Sequence, residues 1–324
     1  MAHEVQPDAF AAYLRAALVA PNGHPNAVRR RLRDKGVQYI LQCCRAMFAF
    51  AGQRRHLPPY SGNPFARLPI DRLKVADRKP IFVFNNATEI AFLRGCDLWG
   101  FAIHFTLAKT GVRVGELTHL LIGDLDLDGG WLRVRNKPDL GWQVKTGAER
   151  DVPLLPELVA VLRTVIGSRA AGPVFLRPRF NRNLPDLTGD RPALARIVEA
   201  RCSAAPQTLT RADRGRVAGG VWRDAGAVKA DAVRTSFIRI ATAIGHPEAT
   251  CPKSWRHTFA TLLQDANVDP LIRQQMLGHR PTAGTGLGMT GVYTHTRPET
   301  KREQIFGALR RRPESLKLAE GGER

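Results

Sequence analysis

Residues 254–280, SWRHTFATLLQDANVDPLIRQQMLGHR, constrain this chain more than any other stretch. They read as two helices joined by a short turn. Asp269 stands where a side chain caps the second helix, and Pro270 suits its first position, where the missing N–H costs nothing. Gly278 suits a left-handed C-terminal cap, which puts His279 just past the helix end. Asn267 falls in the turn, and Asn is the next choice after Gly for a left-handed residue. Arg256 and His257 on the first helix, and His279 after the second, are therefore expected on one rigid frame.

The 324 residues suggest about two domains, at roughly 150 residues each. Lys and Arg number 49 against 29 Asp and Glu, a formal charge of +20. That excess points to a polyanionic partner, above all nucleic acid. Most of the cations are arginine, which forks two donors onto a phosphate. The five cysteines, Cys43, Cys44, Cys96, Cys202 and Cys251, form no CxxC pair and no disulfide framework. The start MAHEVQPDAFAAYLRAALVAP lacks a signal peptide's basic start and continuous apolar core. No run of 18 apolar residues exists, so no membrane span is expected. The expected location is the cytoplasm, associated with the nucleoid.

PDAFAAYLRAALV and VQYILQCCRAMFAFAGQRR carry apolar residues at helical spacing. RHLPPYSGNPFARLP then breaks helix, and the polar DRLKVADRKP reads as a linker. The expected organisation is a small, basic, all-helical unit over residues 1–80 and a second domain over 81–324. AVRRRLRDKGVQ, with five cations, is either a solvated face or a DNA-facing one. In the second domain EIAFLRGCDLWGFAIHFTLAKTG reads as one helix ended by Gly111, and GVRVGELTHLLIGDL as the start of another. WLRVR (131–135), WQVK (142–145) and RDVPLL (150–155), separated by turn residues, predict a small antiparallel sheet, with helices following. The fold class is thus mainly α with a small antiparallel β-sheet. Residues 201–233, rich in Gly, Ala and Arg, read as a loop-rich insertion.

Three motifs join the Arg256–His279 frame. Arg113 stands in TGVRVGEL at a helix start, with Glu116 one turn on. Lys145 stands in VKTGAERDVPL beside a tight turn, and Tyr293 in GVYTHT. The other tyrosines, Tyr13, Tyr39 and Tyr60, all precede residue 81. In this order TGVRVGEL, KTGAERDVPL, RHTFATLL, LGHRP and VYTH resemble the tyrosine recombinases, or phage integrase family, over roughly residues 85–297. The resemblance implies a site-specific recombinase acting on double-stranded DNA as a homotetramer on two sites, with no metal or other cofactor, residues 1–80 being its helical DNA core-binding domain and 81–324 its catalytic domain. It implies Tyr293 as the nucleophile that forms a 3′-phosphotyrosine. Arg113 and Arg256 would hold the non-bridging phosphate oxygens, and His279 would add a hydrogen bond. Lys145 would protonate the leaving 5′-oxygen. Glu116 would orient Arg113 or His279, and His257 would brace the site. Blander roles remain open at this stage: Arg113 as a helix cap or partner of Glu116, Lys145 as a hairpin cation, Tyr293 as a packed aromatic.

The chain departs from the family pattern in three places. Lys253, counted with the catalytic residues, stands where relatives carry His, three residues before Arg256; lysine can still contact a phosphate but cannot share a proton near neutrality. His279 and Tyr293 are 14 positions apart (293 − 279), longer than in simpler relatives. The segment 201–233 has no counterpart in the simplest members. A type IB topoisomerase-like enzyme, or a DNA-binding protein on an inactivated scaffold, are the alternative functions. The basic C-terminal TKREQIFGALRRR reads as an amphipathic helix, either solvated or docked on a neighbouring protomer.

Overall fold

A computed structural model describes residues 4–20, 28–58, 60–75, 80–180, 185, 187–279 and 296–320. The chain divides into two compact units, Met1–Pro80 and Ile81–Arg324.

In the first unit, helices α1 (Pro7–Ala16) and α2 (Asp34–Gln53) bury Ala11, Leu14, Val37 and Leu41 against Phe65, Leu68 and Ile70. Arg45 of α2 holds the returning chain, donating from Nε to the Phe65 carbonyl at 3.3 Å and from Nη2 to that of Leu68. The unit is not purely helical: β1 (Leu18–Val19) and β2 (Arg30–Arg31) pair antiparallel, with Leu18 opposite Arg31.

The second unit is built around a helix that is buried on every side along most of its length. The segment expected as one helix is two, α3 (Asn86–Arg94) and α4 (Leu98–Thr110). Gly95 ends the first, and Asp97 starts the second by accepting the Gly100 N–H at 2.6 Å. α4 is buried from Gly100 to Thr110, which is why its sequence shows no polar face. After the five-residue α5 (Val114–Thr118), strands β3 (Leu125–Asp126), β4 (Trp131–Val134) and β5 (Arg150–Pro153) form an antiparallel sheet in that order. Leu132, Val134 and Val152 face the core. The expected strand 142–145 is absent, since Trp142 makes only an isolated bridge to Lys137. Residues 138–140 instead tighten into a 3₁₀ turn that carries the chain away from the ladder.

Helices α6 (Pro156–Ile166), α7 (Arg191–Ser203), α8 (Arg211–Asp224), α9 (Ala230–Ala243), α10 (Lys253–Asp265) and α11 (Pro270–Leu277) follow. Residues 201–233 are thus mainly helical, which corrects the loop-rich reading. Thr210 caps α8 by accepting the Asp213 N–H, and Asp213 reaches back to the Thr210 N–H. Leu194, Val198, Cys202, Ala218, Val221 and Trp222 give α7 and α8 a second small core.

The last helices, α12 (Pro298–Leu309) and α13 (Pro313–Lys317), pack on this same chain. Ile305, Ala308 and Leu309 enter the main core, so the apolar face of the terminal basic helix is covered by its own domain. A buried ionic group fastens this end: Lys109 Nζ lies 2.6 Å from both Glu89 Oε1 and Ser315 Oγ, and Arg312 also donates to Glu89. Among the described residues no helix is long and apolar enough to cross a membrane.

Candidate active site

The site grows from three glycine- and arginine-dependent junctions. Gly111 ends α4 in the left-handed region at φ 62°. A Cβ there would lie 2.3 Å from Phe259 Cδ1, so only glycine fits. The Gly111 carbonyl accepts from Arg256 Nη1 at 2.7 Å. Arg256, buried at 7% exposure on α10, also donates from Nη2 to the Leu277 carbonyl at the end of α11. One guanidinium thus satisfies two helix C-termini, where carbonyls lack partners and cations are favoured. Burial, then the positive charge of Arg113, lowers the Arg256 pKa to about 10, which leaves it charged at neutral pH.

Asp269 caps α11 by accepting from the Leu271 N–H at 2.7 Å and the Ile272 N–H at 3.3 Å, and Gly278 ends it at φ 58°. Asn267 occupies the turn at φ 56°. His279 follows, solvent-facing, with Nε2 3.4 Å from Arg256 Nη2. Partial burial and the charges of Arg256, Arg113 and Arg150 hold its pKa below the ordinary imidazole value. The ring is neutral near pH 7. With Nε2 facing a donor, its proton belongs on Nδ1.

Arg113 is the extended N-cap of α5. Its backbone N–H and its Nη1 both donate to Glu116, each at 2.8 Å. Glu116 is buried and receives a second arginine, Arg150 on β5, from Nη1 to Oε1 at 3.1 Å and from Nη2 to Oε2 at 2.5 Å. Burial pushes the Glu116 carboxyl up, but Arg150 and then Arg113 outweigh it and hold the pKa below the ordinary value. Arg150 Nε reaches on to the Met276 carbonyl at 2.9 Å. Sequence reading missed Arg150. The two-residue period of RDVP was the available signal: it puts Arg150 on the core face beside Val152, and a buried arginine demands a carboxylate.

Lys145 is exposed in the turn that links β4 to β5. Asn136 clasps the turn, accepting from the Val144 N–H at 2.9 Å and donating to the Gly147 carbonyl at 3.2 Å. Thr146 Oγ1 donates to the Gly278 carbonyl at 3.0 Å, so Lys145 and His279 each adjoin a residue of that bond. Lys253 is exposed at the first position of α10. His257, partly buried one turn later, is depressed below the usual imidazole range by burial, then by the charges of Lys253 and Arg256. Tyr293 lies outside the described residues. Arg113, Arg256, His279 and Glu116 are therefore assembled in one place, with the Lys145 turn alongside and Lys253 and His257 on the flanking helix. Among the described residues no group of three or more His, Cys, Asp or Glu is placed to hold a metal ion.

A mainly helical domain with a three-stranded sheet defines a fold class. In fold it is that of the DNA integrases. The structure of the Tn1549 transposon integrase in complex with transposon right end DNA superposes with a TM-score of 0.56 at 19% identity, covering 93% of this chain and 83% of that one. The same integrase in complex with a circular intermediate DNA gives 0.53 at 21% identity, covering 85% and 80%. Residues 97–189 match the Phage integrase family. The tyrosine recombinase XerC of Pelobacter propionicus is 30% identical over 198 residues, 60% of this chain and 46% of that protein. The tyrosine recombinase XerA of Pyrococcus furiosus is 26% identical over 199 residues, 61% and 51%. The chain thus spans about half the length of these curated relatives. Over the matched residues it is similar to the tyrosine recombinases and to the phage integrase family.

Proposed function

We propose that this protein is a site-specific recombinase that cuts and rejoins duplex DNA through a 3′-phosphotyrosine. The observation that carries the reading is the convergence of Arg113, Arg256 and His279, from three separate elements, beside the buried Glu116. Five N–H groups belong to a guanidinium, and Arg256 commits three to Gly111, Leu277 and His279, leaving two. Those two, with Arg113 and His279 Nδ1–H, serve the non-bridging oxygens as charge builds on them.

Tyr293 Oη gives up its proton to solvent and attacks phosphorus, the P–O5′ bond breaks, and the ammonium group of Lys145 protonates the departing 5′-oxygen. The 5′-hydroxyl of a partner strand then attacks the phosphotyrosine, restoring a phosphodiester and freeing the tyrosine. Bond energy is conserved, so no nucleotide is consumed. Lys253 contacts a flanking phosphate, and His257 braces Arg256. Exchange between two duplexes calls for four active chains, hence a homotetramer on two DNA sites at the nucleoid. Relatives named as recombinases, and like folds solved with DNA, support this partner.

The test works without a known target sequence. The chain is mixed in EDTA with plasmids carrying a randomised duplex cassette, and SDS-stable complexes are recovered and sequenced. Enrichment of one sequence by the wild type and none by Tyr293→Phe is expected. Activity lost on chelation and restored by metal overturns the mechanism. Relaxation of supercoils by a lone chain, with no exchange between two recovered sites, favours a type IB topoisomerase. Affinity should fall steeply with salt, by counterion release.

A further inference from the structure

We propose that Trp222 of α8 is a positioning residue for Lys145, and that the α7–α8 pair sets the hairpin that delivers this amine. The inference rests on the reading of Lys145 as the general acid.

The hairpin 136–150 is anchored at three levels. At its tip Thr146 is bonded to Gly278, and at its neck Asn136 clasps Val144 and Gly147. Its base depends on α7 and α8. Trp222 is buried to 7% exposure and donates from Nε1 to the Leu140 carbonyl at 3.0 Å. Leu140 closes the 3₁₀ turn from which the chain runs to Lys145. Gly141, left-handed at φ 66°, lies so close to α8 that a Cβ would stand 2.8 Å from that of Ala218. Arg191 at the start of α7 grips Asp139 at 2.6 Å from Nη2 and 2.9 Å from Nε.

The same indole reaches the phosphate-holding side. His119 stacks on Trp142 of the hairpin, centroids 5.0 Å apart, and meets the Trp222 ring edge-on at 4.9 Å. His119 Nδ1 lies 2.8 Å from the Gly115 carbonyl in α5, the helix that Arg113 caps. Trp222 therefore fixes the distance between the turn bearing Lys145 and the helix bearing Arg113. A general acid acts only within hydrogen-bond reach of the oxygen it protonates, so a small shift of the hairpin falls on proton donation. It leaves the arginines in place. This assigns the segment 201–233 a role in catalysis, with no need for it to touch DNA.

The test uses the duplex recovered above, prepared with an ordinary or a 5′-bridging phosphorothiolate linkage. Sulfur leaves without a proton, so defects in the acid step vanish on it. Lys145→Ala is the reference: about 10²–10⁴-fold slower on oxygen and near wild type on sulfur. Trp222→Phe keeps an aromatic ring in place of the larger indole and loses the N–H. It is expected to cleave oxygen about 5–10-fold more slowly, the worth of one hydrogen bond, and sulfur at the wild-type rate. In a Lys145→Ala background it should add nothing. Arg191→Ala, at the surface and safe for folding, should give a smaller defect of the same kind. Equal slowing on both linkages, a further loss in the Lys145→Ala background, or no defect from either variant overturns the proposal. If Lys145→Ala is itself not rescued by sulfur, the reading of Lys145 fails, and that control separates the two failures.

Discussion

Arg150 and Glu116 meet through two parallel contacts, Nη1 to Oε1 at 3.1 Å and Nη2 to Oε2 at 2.5 Å, both side chains at or below 5% exposure. This pair lies beneath Arg113 and links β5 to α5 and, through the Met276 carbonyl, to α11. Arg150→Met leaves the buried Glu116 carboxylate with Arg113 still bonded to it, so the cost by urea denaturation is expected at about 3 kcal/mol, the lower end for breaking a buried pair. It also changes a pH limb. Arg150 is the strongest influence lowering the Glu116 pKa, so without it the carboxyl titrates at a higher pH. Protonated Glu116 no longer orders Arg113, and the acid limb of the cleavage profile should move upward. Arg150→Lys, which keeps a charge, should fall between; an unmoved limb in both variants would detach Glu116 from Arg113.

Two glycines hold the site by what they lack. Gly278→Ala puts a Cβ 2.9 Å from Arg150 Nη1 and costs about 1–2 kcal/mol for the left-handed backbone alone. Gly111→Ala is expected to be worse, because its Cβ would enter the Phe259 ring. Thermal unfolding of both variants checks the order; equal midpoints would mean that Phe259 moves aside.

The buried His104 predicts a slope of stability with pH. Its burial, then the charge of Arg239, lowers its pKa to about 3, and Nδ1 has no hydrogen-bond partner among the described residues. Between that value and the ordinary 6.5, the unfolded chain binds a proton that the folded chain refuses. Stability therefore rises with pH through this window and is level above it. From pH 7 to pH 5 the loss from His104 is about 2 kcal/mol. Depressed carboxylates such as Glu89 and Glu116 act at lower pH, so His104→Leu should remove most of that loss in urea titrations at pH 7 and pH 5. An unchanged slope would assign it to His119, His257 and His279, whose pKa values are also lowered.

How legible each feature was depended on whether its cause was local. Asp269, Pro270, Gly278 and Asn267 act through their own backbone, and the structure shows the cap, the helix start and the left-handed residues at those positions. Alternation also marked β4 and β5. Arg150 was not legible, because its role depends on Glu116, 34 residues earlier. The strand expected at 142–145 failed for a similar reason: Trp142 packs on His119 rather than extending the ladder. α8 was hidden by its composition, since Arg, Gly and Ala leave little periodicity, and its helix depends on the Thr210 cap and on Trp222. The break at residues 95–97 was written in Gly95 and Asp97 but masked by apolar runs on both sides.

Lys253 and Lys145 are two cations near one site, and their proposed roles separate by chemistry. Lys253 is exposed at the first position of α10, three residues before Arg256, and its charge already weighs on His257. Its proposed task from there, contact with a phosphate as a fixed charge, does not depend on the leaving group. Lys253→Ala should therefore slow cleavage by roughly 10–100-fold, the worth of one charge-assisted hydrogen bond, equally on oxygen and sulfur linkages. Lys253→His, restoring the residue type expected from the family pattern, should recover part of the rate and add a dependence on pH near 6.5, the ordinary imidazole value. The readout is single-turnover cleavage of the two linkages from about pH 5.5 to 8.5, a range that brackets the imidazole titration. Rescue of Lys253→Ala by sulfur, with none for Lys145→Ala, would exchange the two assignments.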